Sequence, residues 1–254
     1  MRLLPVAQPT LPPPVEPSPI EQIDATVAGF GAGAAQIFFL ALSDFPQSLA
    51  EPILTAAEME RARRLVTPPV RRGFVGGRWL LRSVLAALTG AEARLLDIQA
   101  GAHGKLFLVG HERLAASFNL SHSGDLLALA LVRGRRIGID IEAERPLTDA
   151  ALLARRILSP RERERYDALP MSARASALLV AWTRKEAVLK AVGTGVSGGL
   201  STVEVLGDSV VRLGETWSVR SLGMPPGFHG AIAIDRDVLS PLTWQAVPQR
   251  ESNA

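Results

Sequence analysis

The chain has 254 residues, of which 28 are Lys or Arg and 25 are Asp or Glu, so its formal net charge is only +3. It contains no cysteine, which excludes a disulfide framework, a cysteine-ligated metal cluster and a thiolate nucleophile. The longest clean apolar run, residues 126–132, is far shorter than the roughly 18 residues that a membrane helix requires. We therefore expect a soluble, cytoplasmic protein without a membrane partner.

The basic residues are 25 Arg and three Lys, the latter at positions 105, 185 and 190. Either these positions need a compact ammonium instead of a planar guanidinium, or they carry Lys by chance. Arg and Glu alternate along residues 161–165, a pattern typical of a solvated helix face. Because the chain has no block of like charges, we expect no nucleic-acid partner.

The first twenty residues contain seven prolines, a composition that favours extended and poorly packed backbone. We predict a tail over residues 1–19. Apolar runs of strand length follow, separated by helical patterns, at residues 36–42, 126–132, 137–141 and 231–234.

An internal repeat with an offset of roughly 103 residues runs through these segments. Thr55 and Ser159 are each followed three residues later by Glu, the spacing of a helix-initiating capping box. Trp79 and Trp182 each open a helical stretch that reaches a glycine eleven residues later. We predict an α+β fold made of two similar α+β lobes in tandem, residues 20–134 and 135–254, related as a pseudo-dimer with a ligand cleft between them.

The apolar run at residues 137–142 alternates strictly between isoleucine and small or acidic residues. In a strand, Asp140 and Glu142 then share the face opposite the isoleucines, about 6.6 Å apart. Two carboxylates on one face suit a hard cation such as Mg²⁺. An ordinary amphipathic strand with its acidic residues in water is the alternative.

Residues 182–190 read as a helix in which Glu186 and Lys190 lie one turn apart. Such a pair is either a surface ion pair or a third metal carboxylate with a lysine beside a phosphate. The spacing does not choose between these two interpretations.

Residues 118–125 place Ser121 and His122 in a predicted turn that ends in glycine before an apolar strand. Hydroxyls, backbone amides and an imidazole can together bind an anion. A Ser/His hydrolase is disfavoured, because adjacent strand residues face opposite sides and the chain has no nucleophile elbow. The other histidines, at positions 103, 111 and 229, lack the spacing of metal ligands.

In this order, the three motifs resemble those of the 4′-phosphopantetheinyl transferase superfamily, specifically its long, two-lobed type named after the surfactin synthetase activator. The resemblance rests on residues 119–122 (NLSH), 138–142 (GIDIE) and 182–190 (WTRKEAVLK). Lys105 falls in a segment where the family often has Gly-Lys-Pro, here Gly-Lys-Leu.

The resemblance implies transfer of 4′-phosphopantetheine from coenzyme A to a serine of an apo acyl or peptidyl carrier protein, with release of adenosine 3′,5′-bisphosphate. It implies that Mg²⁺ is held by Asp140, Glu142 and Glu186, and that Glu186 and Lys190 are catalytic. The residues implied in coenzyme A binding are Arg61, Arg72, Lys105, Ser121, His122 and Lys190. We expect a monomer. The alternatives are a noncatalytic nucleotide- or RNA-binding module and a Mg²⁺-dependent phosphodiesterase.

Overall fold

The structure is a computed structural model that describes residues 35–43, 45–195, 199–235 and 242–246. The predicted tail lies outside these residues. The strands are β1 (Ala35–Ala41), β2 (Ile98–Ala100), β3 (Leu106–Leu108), β4 (Ala116–Ser123), β5 (Leu126–Arg133), β6 (Ile137–Ala143), β7 (Ser209–Arg212), β8 (Glu215–Ser221), β9 (Phe228–Asp235) and β10 (Leu242–Ala246). The α-helices are α1 (Ala56–Arg64), α2 (Pro68–Thr89), α3 (Ala150–Ile157), α4 (Pro160–Asp167) and α5 (Met171–Val192).

None of the helices in the described ranges combines the length and apolar character needed to cross a bilayer. Each of the four predicted apolar runs forms a strand, namely β1, β5, β6 and β9.

The predicted repeat is present in the helices. Helices α1 and α4 each begin with a complete capping box, built by Thr55 and Ser159 with the Glu three residues later. Helices α2 and α5 are both 22 residues long. Each ends at a glycine in the left-handed conformation, Gly90 with φ 70° and Gly193 with φ 87°, where a side chain would be strained.

The sheets repeat the same connectivity. The first sheet has the order β10-β1-β5-β4 and the second has the order β6-β9-β8-β7. In both halves the first strand pairs antiparallel with the last strand of the repeat, and that strand pairs antiparallel with the one before it. The expectation of a duplicated α+β fold is therefore confirmed.

Strand β10 follows the second repeat in sequence but pairs in parallel with β1 of the first sheet. The last described strand thus returns to the first half of the molecule. The division of the chain between residues 134 and 135 stays a prediction.

Three apolar clusters hold the layers together. Helix α2 packs on the first sheet through a cluster that includes Leu80, Val84 and Leu129. The two sheets share a second cluster, to which Ile37, Val132 and Ile139 belong, and helix α5 packs on the second sheet through Val188, Trp217 and Val219. Burial of these side chains supplies most of the driving force for the arrangement helix, sheet, sheet, helix.

Each half also contains a buried ion pair at the same place. Glu58 lies 2.7 Å from Arg82, and Glu162 lies 2.6 Å from Lys185, each measured between a carboxylate oxygen and a side-chain nitrogen. Both acidic residues belong to the capping boxes, and both cations lie in the middle of the long helices.

The two cations also donate to main-chain carbonyls of the segment that follows each long helix. Arg82 donates to Leu96 at 3.0 Å, and Lys185 donates to Leu200 at 3.1 Å and to Val203. The pair therefore joins the start of the short helix, the middle of the long helix and the chain beyond it.

We expect Lys185→Met to lower the free energy of unfolding by about 3–5 kcal/mol, because it leaves the Glu162 carboxylate buried without its cation. Urea denaturation followed by circular dichroism measures the loss. The double variant Glu162→Gln/Lys185→Met should lose less than the sum of the two single variants. A loss below about 1 kcal/mol for Lys185→Met, within the range of an exposed pair, would contradict this account.

Candidate functional site

The site lies along the seam where strand β4 of the first sheet meets strand β6 of the second. Among the described strands, β6 is an edge strand, because it pairs with β9 on one side and with no strand on the other. Its outward amides donate instead to side chains of β4: Ile139 to Asn119 Oδ1 at 2.9 Å, Ile141 to Ser121 Oγ at 3.3 Å and Ala143 to Ser123 Oγ at 3.0 Å. Side chains thus complete the hydrogen bonding that an edge strand otherwise leaves to water.

One face of β6, with its isoleucines, packs against the first sheet, and the opposite face lies under helix α5. A Cβ atom added to Gly138 would lie 2.1 Å from the carbonyl oxygen of Ala187, so that only glycine allows the helix to approach the strand this closely. The predicted alternation holds, since Ile137, Ile139 and Ile141 are buried between the sheets. The alternative of acidic residues in water is wrong for Asp140, which is 5% exposed beneath the helix.

Asp140 and Glu142 are held by partners from several elements. Oδ1 of Asp140 lies 2.7 Å from Nζ of Lys190 and accepts from Ser121 Oγ at 2.9 Å. Oε2 of Glu142 accepts from Ser123 Oγ at 2.8 Å and from Arg145 at 2.8 Å.

Two buried carboxylate oxygens of the cluster, Asp140 Oδ2 and Glu186 Oε1, have no hydrogen-bond partner among the described residues. An unpaired buried oxygen of a carboxylate is costly and points to a ligand that these groups bind.

The pKa of Glu186 reflects its burial and the negative charges of the neighbouring carboxylates. Burial raises the pKa of Glu186 to about 7, the charge of Asp140 adds to the rise, Lys190 opposes it and Glu142 adds further. Burial also raises the pKa of Asp140, against the effect of Lys190 and Ser121. The negative charges of neighbouring carboxylates contribute to both rises, and a divalent cation would relieve this repulsion.

Hard carboxylate oxygens, two of them buried without a partner, fit Mg²⁺ in chemical type. Within the part of the chain that the structure describes, however, acidic and imidazole side chains do not form a ready-made set of three ligands. The assignment of Asp140, Glu142 and Glu186 to a metal therefore stays a prediction.

Lys190 lies in the seam and not in a surface pair on its own helix. Its ammonium contacts Asp140 at 2.7 Å and Ser121 at 3.0 Å, and its side chain is 27% exposed. The ammonium of this α5 residue therefore lies next to both strands of the seam, and part of the side chain is exposed to solvent.

Ser121 and His122 lie on a strand, because β4 runs through Ser123 and the turn consists only of Gly124 and Asp125. The predicted turn over residues 118–125 is therefore wrong in its extent. The two side chains point to opposite faces, as expected for neighbours in a strand. Ser121 is buried in the seam, and His122 is exposed on the other side of the first sheet.

His122 lies against the backbone of α2, where a Cβ atom on Gly73 would come within 2.9 Å of its ring. Arg72, which precedes Gly73 on α2, is half-buried. Arg61, on α1, is exposed and places its guanidinium carbon 5.0 Å from the centre of the Phe74 ring. His122 and Arg61 therefore each lie beside a residue of α2, the helix that also carries Arg72.

Lys105, the fourth of the predicted coenzyme A ligands outside the seam, lies at the carboxyl end of α5. Its ammonium donates to the carbonyl oxygens of Lys190 at 3.1 Å and Ala191 at 2.9 Å, in the last turn of α5. A cation there is favourable, because the final carbonyls of a helix lack partners within the helix. Burial lowers the pKa of Lys105.

Sequence reasoning missed several contacts of the acidic cluster. Ser123 and Arg145 both bind Glu142, and His229 lies directly across from Glu142 on β9, where it bonds Glu144 at 3.0 Å. The period of two in Asn119, Ser121 and Ser123 was the available signal for Ser123. The position of His229 in the sequence gave no signal that it lies beside Glu142.

Comparison with known proteins identifies the family of the chain. A sequence profile of the 4′-phosphopantetheinyl transferase superfamily matches residues 136–221, which include β6 and α5. The chain is 34% identical over 211 residues to the 4′-phosphopantetheinyl transferase HetI of Nostoc sp. strain PCC 7120, across 79% of this chain and 88% of HetI. It is 34% identical to the 4′-phosphopantetheinyl transferase AcpT of Escherichia coli K12, across 55% of this chain and 68% of AcpT.

Among solved structures, the holo-[acyl-carrier-protein] synthase of Thermotoga maritima matches with a TM-score of 0.31 and 20% identity, across 41% of this chain and 64% of that one. This structural likeness is too distant to define the fold. The similarity to HetI is enough to settle the family: the chain belongs to the 4′-phosphopantetheinyl transferase superfamily. The class of enzyme expected from the three motifs is thereby confirmed.

The raised pKa of Glu186 predicts a pH-dependent stability. Between its ordinary value of 4.5 and about 7, the folded protein keeps a proton that the unfolded chain has released. The contribution of this group therefore falls as the pH rises through that window and is constant above it.

At pH 8 we expect Glu186→Gln to stabilise the metal-free protein by up to about 3 kcal/mol, with no gain at pH 4.5. Urea unfolding at a series of pH values measures this difference. The matched control is Glu164→Gln, at an exposed position of α4. Parallel stability curves for wild type and Glu186→Gln would show that Glu186 titrates normally.

Proposed function

We propose that the protein transfers the 4′-phosphopantetheine group of coenzyme A to a serine hydroxyl of an apo carrier protein, with Mg²⁺, and releases adenosine 3′,5′-bisphosphate. The observation that carries the proposal is the cluster of Asp140, Glu142, Glu186 and Lys190, with two unpartnered carboxylate oxygens at the seam. Membership of the transferase superfamily supports the same reaction.

Asp140, Glu142 and Glu186 would hold Mg²⁺, and their hard oxygens and mutual crowding support this choice. When bound, the ion supplies positive charge to the pyrophosphate of coenzyme A as negative charge develops there. Glu142 would exchange its bond to Arg145, whose side chain is more than half exposed, for the ion.

In the reaction, the serine oxygen bonds to the β-phosphorus, and the bond from that phosphorus to the bridging oxygen of the pyrophosphate breaks. The bridging oxygen leaves with adenosine 3′,5′-bisphosphate. Glu186 would accept the serine proton as the general base. Lys190 would stabilise charge on the phosphate oxygens, and its partly exposed side chain beside Asp140 supports this role.

Coenzyme A would extend from this cluster towards the α2 side of the first sheet. His122 lies beside Gly73 and Arg61 beside Phe74, both on the helix that carries Arg72, and an imidazole with two guanidinium groups would suit a phosphate. Lys105, beside the last turn of α5, donates two of its three N–H groups to helix carbonyls, and the third would be available to the nucleotide. We propose that one chain carries a complete site, since the two halves already form the seam, and that the protein acts as a monomer.

Incubation of the protein with coenzyme A, Mg²⁺ and an apo carrier protein tests the reaction. Intact-mass analysis should show the carrier gaining one phosphopantetheine group, and EDTA should prevent the gain. Asp140→Asn should abolish it, while the exposed control Asp97→Asn should behave as wild type. No mass change across carriers of fatty acid, polyketide and nonribosomal peptide synthesis would contradict the proposal. Release of adenosine bisphosphate without any carrier would favour a phosphodiesterase.

The outward face of α3 is a candidate docking surface for the carrier. Ala154 and Ile157 pack inward, whereas Arg155 and Arg156 are exposed beside the half-exposed Leu152. A basic and apolar face suits an acidic partner.

We expect the double variant Arg155→Glu/Arg156→Glu to raise KM for the carrier at least tenfold with little change in KM for coenzyme A, as steady-state kinetics would measure. Arg113→Glu, at an exposed position of the first half, is the control, and an equal effect there would mean that net charge alone acts.

A further inference from the structure

Three side chains of β4 accept hydrogen bonds from the edge of β6, and they do not have the same chemistry. Asn119, Ser121 and Ser123 accept from successive outward amides, those of residues 139, 141 and 143. Any side chain with an acceptor could satisfy an amide. The structural need of the edge strand therefore does not by itself explain why two of the three are serines.

The difference lies in the residue that precedes each amide. Before Ile139 stands Gly138, which has no side chain, and there β4 presents the amide oxygen of Asn119. Before Ile141 and Ala143 stand Asp140 and Glu142, and there β4 presents serines.

A hydroxyl oxygen is able to accept one hydrogen bond and donate another through the same atom, which the oxygen of an asparagine amide cannot do. Ser121 accepts from the amide of Ile141 and donates to Asp140 at 2.9 Å. Ser123 accepts from the amide of Ala143 and donates to Glu142 at 2.8 Å. Each serine is thus fixed by the backbone of β6 and in turn fixes the carboxylate beside that amide.

We propose that Ser121 and Ser123 are positioning residues that orient Asp140 and Glu142 towards a divalent cation. This role rests on the proposed function, because it needs the carboxylates to be metal ligands. It extends the site to a residue, Ser123, that neither the motifs nor the comparisons single out. For Ser121 the geometry favours positioning over a direct phosphate contact, since its single proton is donated to Asp140.

Hydrogen bonds from outside the ligand shell fix the direction of a metal-binding side chain, and their loss commonly weakens metal binding by about 10- to 100-fold. Ser121 also accepts from Lys190 at 3.0 Å, so its removal would disturb two functions together. Among the described residues Ser123 forms no hydrogen bond with Lys190, and it is therefore the cleaner position to test.

The test compares Ser123→Thr with Ser123→Val in the full chain. The two side chains have the same shape and both suit a strand, but only threonine keeps the hydroxyl. The control is Ser117→Ala, on the same strand and face, where the structure shows no side-chain hydrogen bond to β6 among the described residues.

Two readouts do not depend on catalysis. Mn²⁺ binding to the protein alone, measured by electron paramagnetic resonance, should weaken about tenfold or more in Ser123→Val and stay near wild type in Ser123→Thr and Ser117→Ala. Hydrogen exchange of the Ala143 amide, measured without metal, should speed up in Ser123→Val only.

Equal Mn²⁺ affinity for the threonine and valine variants would overturn the positioning role, even with the transferase reaction intact. Faster exchange in Ser123→Val with unchanged Mn²⁺ affinity would also overturn it, leaving a purely structural bond. A wild-type protein that binds no Mn²⁺ would instead overturn the metal assignment. Wild-type protein that binds Mn²⁺ but modifies no carrier would count against the proposed reaction and not against the serines.

Discussion

The close approach of helix α5 to strand β6 at Gly138 is the constraint on which the rest of the site depends. With no side chain at this position, the helix lies directly on the strand, and Asp140 is held in a dry layer between them. In such a layer a carboxylate needs partners from elsewhere, because water is excluded. Lys190 comes from the helix and Ser121 from the other sheet, so that the acidic cluster exists only where three elements of the fold meet.

Comparison of the two halves separates what supports the fold from what supports the chemistry. The buried ion pair is kept in both, as Glu58 with Arg82 and as Glu162 with Lys185. At the repeat offset of 103, the first half has Ser83 and Ala87 where the second half has Glu186 and Lys190. The residues of β1 that face the long helix of the first half, Phe38 and Leu40, are apolar, whereas those of β6 that face α5 are Asp140 and Glu142.

Phe38 and Leu40 are buried in the apolar cluster under α2. The duplicated architecture therefore carries one acidic cluster and one apolar counterpart. Lys185, although it lies within the helix motif next to Glu186, belongs by this comparison to the shared framework, because Arg82 performs the same task in the half without the cluster.

The fold could be predicted from local sequence patterns, since capping boxes, strand periods and helix-ending glycines each report on residues a few positions apart. The site could be predicted only in part. Spacing in the sequence paired Lys190 with Glu186 on its own helix, whereas the fold brings Lys190 to Asp140, fifty positions away. Polar residues 119–123 suggested a turn, because nothing local reveals that a second strand lies beside them and donates its amides to their side chains. The burial of Asp140 likewise depends on where α5 packs, which no single segment specifies.

The parallel pairing of β10 with β1 ties the last described strand to the first. Without residues 242–246, β1 would become the edge of its sheet and would present unpaired amides and carbonyls along Phe38 and Phe39. Removing these residues would therefore expose a sheet edge that can pair with strands of other molecules, in the half that lacks the acidic cluster. Anyone trimming this protein for crystallisation, or fusing it to another, would do best to keep that closing strand.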